Sequence, residues 1–258
     1  MIRILFTQIM FLTKFPIRSF SEFREDDLAR GVVFAPIVGL MIGLLPALAY
    51  YFFSGAGLVQ MAAVSAVVIQ IIVTGALHLD GLADTADGFF SYRSRERILE
   101  IMKDSRIGTN GAISLIVIII VKYSILVSLS AEIAILSLLA APAAARMTIA
   151  WCAGVSIYAR SEKGMGMVTV ERTGWREIVI TTIITSVLIF ALFRFSLIIL
   201  PSAVIISAAG FALLFSYYSS KKIGGITGDV IGAVIELSEV LILILFVLFE
   251  TFPVLRGF

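Results

Sequence analysis

Cysteine and histidine are almost absent: there is one of each, Cys152 and His78. A single cysteine excludes an intrachain disulfide framework. Charge is scarce as well. Only 15% of the 258 residues are Asp, Glu, Lys or Arg, and the formal net charge is +2. A soluble domain carries about 25% charged residues. This composition excludes a disordered chain and a nucleic-acid-binding domain. The N-terminus lacks the marks of a cleaved leader, because Thr7 and Gln8 interrupt the apolar stretch Ile4–Leu12 and no small-residue cleavage site follows. It reads instead as a short amphipathic segment at a membrane surface. No internal repeat and no low-complexity linker divides the chain, which is read as one domain, 1–258.

Apolar residues fill the remainder. They make up 60% of the chain, and the mean hydropathy is +1.06. That much apolar surface cannot be hidden in a water-soluble fold of this length. The runs are continuous rather than alternating, so helices and not a barrel are expected. The fold class is therefore all-α, a polytopic integral membrane bundle. Segments 31–53, 57–77, 112–130, 133–153, 178–199, 201–218 and 230–250 each approach the ~20 apolar residues that a crossing needs. Pro142 and Arg146 interrupt the fourth of these, and the sixth is short.

Lysine and arginine orient the chain. With the N-terminus in the cytoplasm, sixteen of the 20 fall on the inner side and only Arg194 and Arg256 outside; Lys122 and Arg146 lie within spans. Seven spans in a cell membrane follow. The larger cytoplasmic loops are 78–111 and 154–177, and any chemistry is expected on that face.

The second span ends in His78-Leu79-Asp80-Gly81-Leu82-Ala83-Asp84-Thr85-Ala86-Asp87-Gly88. On a helix, positions i, i+4 and i+7 lie within roughly 60° of one another, so Asp80, Asp84 and Asp87 share a face. No basic residue separates them. Crowded carboxylates repel, and a hard divalent cation such as Mg²⁺ relieves that repulsion. The alternative is a solvated acidic turn at a helix end. A second acidic set, Asp229, Glu236 and Glu239, follows Lys221, Lys222 and the glycines from Gly224 to Gly228, a stretch resembling a phosphate cradle ahead of a helix. Glu236 is expected about 10 Å inside the membrane. There it requires a cation, a polar cavity or a base, and pairing with Arg146 or Lys122 purely to hold the bundle is the alternative. A third cluster runs from Glu100 to Gly111, with Lys103, Asp104 and Arg106; Arg106 suits bidentate phosphate recognition, or serves as a membrane-surface anchor. Acidic stripes beside basic residues and glycine turns suit phosphoryl or nucleotidyl transfer.

These segments carry a resemblance. His78–Gly88, Glu100–Gly108 and Gly225–Glu239, with Pro142 and Arg146 and the opening Phe11-Leu12-Thr13-Lys14-Phe15-Pro16, resemble the signature segments of the cobalamin synthase family, the adenosylcobinamide-GDP ribazoletransferases. This chain departs from the pattern at Asn110, and at Thr74-Gly75-Ala76, where a Gly-Gly pair often precedes the histidine. The resemblance implies a Mg²⁺-dependent membrane transferase that joins adenosylcobinamide-GDP with α-ribazole, or its 5′-phosphate, and releases GMP. Carried onto this sequence, it makes Asp84, Asp87, His78 and Asp104 the catalytic candidates. Arg106, Arg146, Lys221, Lys14, Gly225 and Glu239 become candidates for substrate and phosphate, and Asp80, Asp84, Asp87, Asp229 and Glu236 for the metal. A CDP-alcohol phosphotransferase and a cation transporter lined by Asp229, Glu236 and Glu239 are the competing readings. The sequence leaves the oligomeric state open.

Overall fold

A computed structural model describes residues 1–15, 25–161, 164–194 and 198–252. Arg18, Arg24, Lys163 and Arg256, used above for orientation, and Pro16 of the opening motif lie outside the described residues. The described elements are helical: α1 (Ile2–Leu12), α2 (Glu25–Gly31), a 3₁₀ turn (Val32–Phe34), α3 (Ala35–Gly55), α4 (Val59–Thr74), α5 (Leu77–Phe89) and α6 (Arg95–Ile101). Then follow α7 (Thr109–Ser128), α8 (Ala131–Val155), α9 (Met165–Arg172), α10 (Trp175–Leu192), α11 (Ile199–Ile223) and α12 (Gly228–Thr251).

Six helices are long and apolar enough to cross a membrane, and the bent pair α4–α5 makes a seventh candidate. Each expected span overlaps one of these helices or the bent pair, with four revisions. The fifth, expected over 178–199, is α10 and ends at Leu192, and residues 195–197 lie outside the described residues. The segment read as the short sixth span is the 25-residue α11. The fourth continues unbroken as α8 through Pro142. The expected second span stops at Thr74, and the chain turns by 89° into α5. The two loops expected at 78–111 and 154–177 are themselves partly helical, holding α5, α6 and α9.

The α4–α5 corner is local chemistry. Gly75 and Ala76 both take left-handed backbone conformations, φ 60° and 58°. Their N–H groups close the last turn of α4, Gly75 onto Ile72 and Ala76 onto Ile71. Gly75 pays no steric penalty there, whereas Ala76 does.

At the centre stands α8, whose Ala140-Ala141-Pro142-Ala143-Ala144-Ala145 run is buried throughout. In lipid, small residues let helices approach until van der Waals packing holds them. Pro142 has no N–H to offer the carbonyl of Leu138. Gly43 of α3 backs onto that same carbonyl, where a Cβ would stand only 2.2 Å away. Outside the bundle, Arg3 of α1 pairs with the buried Asp27 of α2 at 2.8 Å. That pairing holds α1 against α2.

Candidate active site

The site forms where α5 crosses the first turns of α12. Gly81 makes the crossing possible, since a Cβ there would sit 2.8 Å from the carbonyl oxygen of Asp229 and 3.0 Å from its Cα. Gly232 faces His78 across the same contact. Two acidic segments 149 positions apart are thereby brought together. Thr227 caps α12 by accepting the N–H of Val230.

A short parallel bridge supplies the cation. Ile226 N–H donates to Ile157 at 2.9 Å, and Ala159 N–H donates to Ile226 at 2.8 Å. This pairing carries Arg160 to the start of α12, where it donates to Asp229 at 2.8 Å and to the carbonyl of Met102 at 3.3 Å. Gly225 belongs to the same bridge: a Cβ would meet the Ile157 carbonyl at 2.3 Å, and its own carbonyl accepts from Ser219. Its place is in packing against residues 157–159.

Beneath lies a cavity of about 320 Å³. Phe11, Leu28, Val32, Ile149, Ile231 and Ile235 give it apolar walls, while Gln8, His78, Asp80, Tyr158, Arg160 and Asp229 line its polar part. Its size suits a small organic ligand. Gln8 is 2% exposed, and among the described residues its Oε1 has no hydrogen-bond partner.

Asp80, Asp84 and Asp87 do share a face of α5, but they meet different surroundings. Asp80 lines the cavity and is exposed. Asp84 is half-buried; burial, then the charges of Asp229 and Asp80, push its carboxyl up to about 7, with Arg160 opposing. Asp87 is turned to α7, accepting the N–H groups of Gly108 at 2.7 Å and Gly111 at 2.8 Å. A Cβ on Gly108 or Gly111 would strike that carboxylate at 2.5 or 2.4 Å. Asp87 thus caps the third span and fixes the turn that follows the 100–106 cluster. Within that cluster Asp104 and Arg106 hold each other on an exposed loop, at 2.7 Å, and the guanidinium draws the Asp104 carboxyl down to about 2.

Glu236 and Glu239 lie about two and three turns further along α12 than Asp229 and are neutralised. Lys122 Nζ donates to Glu236 at 2.6 Å and to Glu239 at 2.7 Å. Gln70 donates to Glu239 at 2.7 Å, and Arg146 Nη1 donates to its other oxygen. Arg146 in turn reaches His78 Nδ1 at 3.2 Å. Lys221 is exposed at the end of α11, its Nζ 5.4 Å from the Tyr217 ring centre. The alkyl chain of Lys14 lies over Gly75 at the α4–α5 corner. Among the described residues no three His, Cys, Asp or Glu side chains already converge as they would around an ion.

Reading the sequence missed Arg160, Gln8 and Tyr158. For Gln8 a signal existed, a polar residue interrupting an apolar helix. Arg160 sits among basic residues that read as membrane anchors, and only the long-range bridge singles it out.

Fold and site together define a polytopic helical membrane enzyme that gathers carboxylates, an arginine and an apolar cavity at one end of its bundle. Comparison with known proteins supplies the rest. The family model of cobalamin-5-phosphate synthase matches residues 4–247, and the chain belongs to that family, a family of transferases in cobalamin biosynthesis. It is 35% identical to the adenosylcobinamide-GDP ribazoletransferase of Clostridium novyi over 95% of this chain and 97% of that one. Proteins of the same name from Acetivibrio thermocellus and Caldanaerobacter subterraneus are each 38% identical, over 93% and 95% of this chain and 95% and 98% of theirs. No solved structure matches.

Proposed function

We propose that this chain transfers the cobinamide phosphoryl group of adenosylcobinamide-GDP to α-ribazole or α-ribazole 5′-phosphate, releasing GMP, at a site facing the cytoplasm of the cell membrane. Family membership gives the reaction class. The observation that carries the reading is the mixed cavity, with apolar walls for a flat base and a polar rim of Asp80, Asp229 and Arg160 for sugar and phosphate. The inner-side excess of Lys and Arg supports the orientation.

The rim fits Mg²⁺. This ion commonly takes one or two carboxylates and completes its shell with water and substrate phosphate. Asp80 and Asp84, with Asp229 alongside, supply such carboxylates, and a cation there would offset the burial and the neighbouring acids that push the Asp84 carboxyl up. When bound, the ion neutralises the diphosphate. Asp87, Glu236 and Glu239, already engaged, have other work in this arrangement.

The residues then divide the task. The cavity holds the ribazole base and excludes water from it. Arg160 fixes a phosphate oxygen, and Arg106 on its loop adds a second cation at the open side. A ribazole hydroxyl oxygen forms the new bond to phosphorus, the bond from phosphorus to the GMP oxygen breaks, and a rim carboxylate receives the hydroxyl proton. The test is purified protein in nanodiscs with adenosylcobinamide-GDP and α-ribazole, with and without Mg²⁺. GMP release that needs both substrates and the metal is expected; its absence with both substrates and Mg²⁺ present rejects the assignment.

A further inference from the structure

His78 joins the two charged regions. It is the second residue of α5, 4% exposed, and it lines the cavity. Its Nδ1 lies 3.2 Å from Nη2 of Arg146, which is wholly buried. A guanidinium offers only N–H donors and keeps its proton in proteins. The hydrogen bond therefore runs one way: Arg146 donates and Nδ1 accepts. A proton on Nδ1 would set N–H against N–H beside a fixed cation.

Arg146 cannot swing away to admit that proton. Its Nη1 donates to Glu239, and Glu239 is itself held by Lys122 and Gln70, each at 2.7 Å. Lys122 also holds Glu236. Two cations and two carboxylates thus hold one another, and Arg146 stays fixed against Nδ1. His78 shares the cavity lining with Asp80, Asp229 and Arg160. The Nε2 atom has no hydrogen-bond partner among the described residues.

We infer that His78 is a hydrogen-bond donor through Nε2–H, directed to an acceptor oxygen of the bound substrate, and that Arg146 and Glu239 are positioning residues that keep Nδ1 the accepting nitrogen. The other nitrogen fixes the tautomer, as it does for metal-bound histidines. In this role His78 binds and orients, and the hydroxyl proton goes to a carboxylate.

The chain has a single histidine, which makes the test direct. Protein labelled with ¹⁵N-histidine, purified through a histidine-free tag and placed in bilayers, gives one imidazole spectrum near neutral pH. A protonated Nε2 with an unprotonated Nδ1 is expected; the Nδ1–H tautomer or an imidazolium overturns the inference. This spectrum is taken without substrate, so its result stands apart from the proposed reaction, on which only the ligand's identity rests. Adding α-ribazole in one arm and GDP in another shows whether ribose or phosphate oxygen shifts Nε2; a shift in neither overturns the contact. In kinetics, His78→Phe is expected to lower kcat by ~10²–10³-fold, the usual effect of deleting a preorganised donor. His78→Gln, which keeps a side-chain N–H, recovers at least about 10-fold of that loss. Equal losses in the two variants reject the donor role even if the tautomer is as drawn. Arg146→Leu, where it folds, is expected to give a mixture of tautomers; an unchanged spectrum removes Arg146 as the positioning residue.

Discussion

Two sets of acids lie about two helical turns apart along α12 and live under opposite rules. Glu236 and Glu239 sit inside the bundle, matched by Lys122 and Arg146 at hydrogen-bond distance. Asp80, Asp84 and Asp229 stand at the end of α5 and the start of α12, with Arg160 the cation bonded to Asp229. The inner set is balanced and sealed; the outer set carries an excess of negative charge and borders a cavity. An unpaired charge in lipid is expensive, so the inner acids persist only with partners. Near water, imbalance is tolerable, and in the proposed reaction it serves to hold a cation together with a phosphate. The sequence leaves Glu236 open between a cation site and a pairing with Arg146 or Lys122. The distinction comes from Lys122, which reaches it from the third span.

The sharpest way to break the comparison is to unbalance the inner set. Glu236→Gln leaves Lys122 and Arg146 facing one carboxylate. Loss of one partner of a buried pair costs about 3–5 kcal/mol, so a large drop in thermal midpoint is expected. Removing Lys122 and Glu236 together, both to Met, leaves Arg146 with Glu239, again neutral, and should restore most of the midpoint. If the single variant melts like the parent, the balance argument fails. The outer set predicts the reverse pattern. Asp84→Asn is expected to cost ~10²–10³-fold in GMP release, about 2.7–4 kcal/mol in the barrier, with no loss of fold. Its stability should even gain. Because the folded protein holds the Asp84 carboxyl at about 7, ionisation opposes folding, and that penalty develops as pH rises from the ordinary carboxylate range through 7. Melting of chelator-treated protein should therefore favour Asp84→Asn most at pH 8 and clearly less at pH 5. A variant less stable at both values would assign Asp84 to the sealed class.

Much of this was legible in the sequence because a membrane makes hydropathy a strong signal. The crossing helices stand where apolar length placed them, and the i, i+4, i+7 stripe is real. The divergence of Asp87 was not legible: spacing fixes which face a side chain shares, and partners far away fix what it touches. Gly108 and Gly111 are those partners, and they look like ordinary turn residues until the carboxylate is seen between them. Arg160 escaped for the same reason, since the pairing of residues 157–159 with Ile226 has no local periodicity to announce it. The 89° corner after Thr74 also went unread, because hydropathy continues through Gly75, Ala76 and Leu77 while the backbone does not.

Asp87 gives a smaller way to sharpen the comparison, being an acid of the stripe that works as a cap. Asp87→Asn keeps the shape and one acceptor oxygen, so about 1 kcal/mol of stability should be lost, in the range of cap removals. Amide exchange should quicken at Gly108 and Gly111 while Asp80 and Asp84 keep the site working, with GMP release falling far less than in Asp84→Asn. An Asp87→Asn loss equal to that of Asp84→Asn would return Asp87 to the metal set.

The smallest expected effect lies at the corner that brings the outer acids to α12. Ala76 holds φ 58° and ψ 14°, a left-handed conformation that costs an L-residue roughly 1–2 kcal/mol. Glycine adopts it freely but loses more chain entropy on folding, a term of roughly 0.5–1 kcal/mol. The two oppose each other and the steric one is larger, so Ala76→Gly should raise stability by up to about 1 kcal/mol. The thermal midpoint of the purified protein checks this. The direction matters more than the size. If Ala76→Gly lowers the midpoint, the methyl group is packed usefully and the corner is held by side-chain contacts. If it raises it, the strain is borne by the α5–α12 contact through Gly81, and that contact, rather than the turn, is what keeps Asp80 and Asp84 beside Asp229.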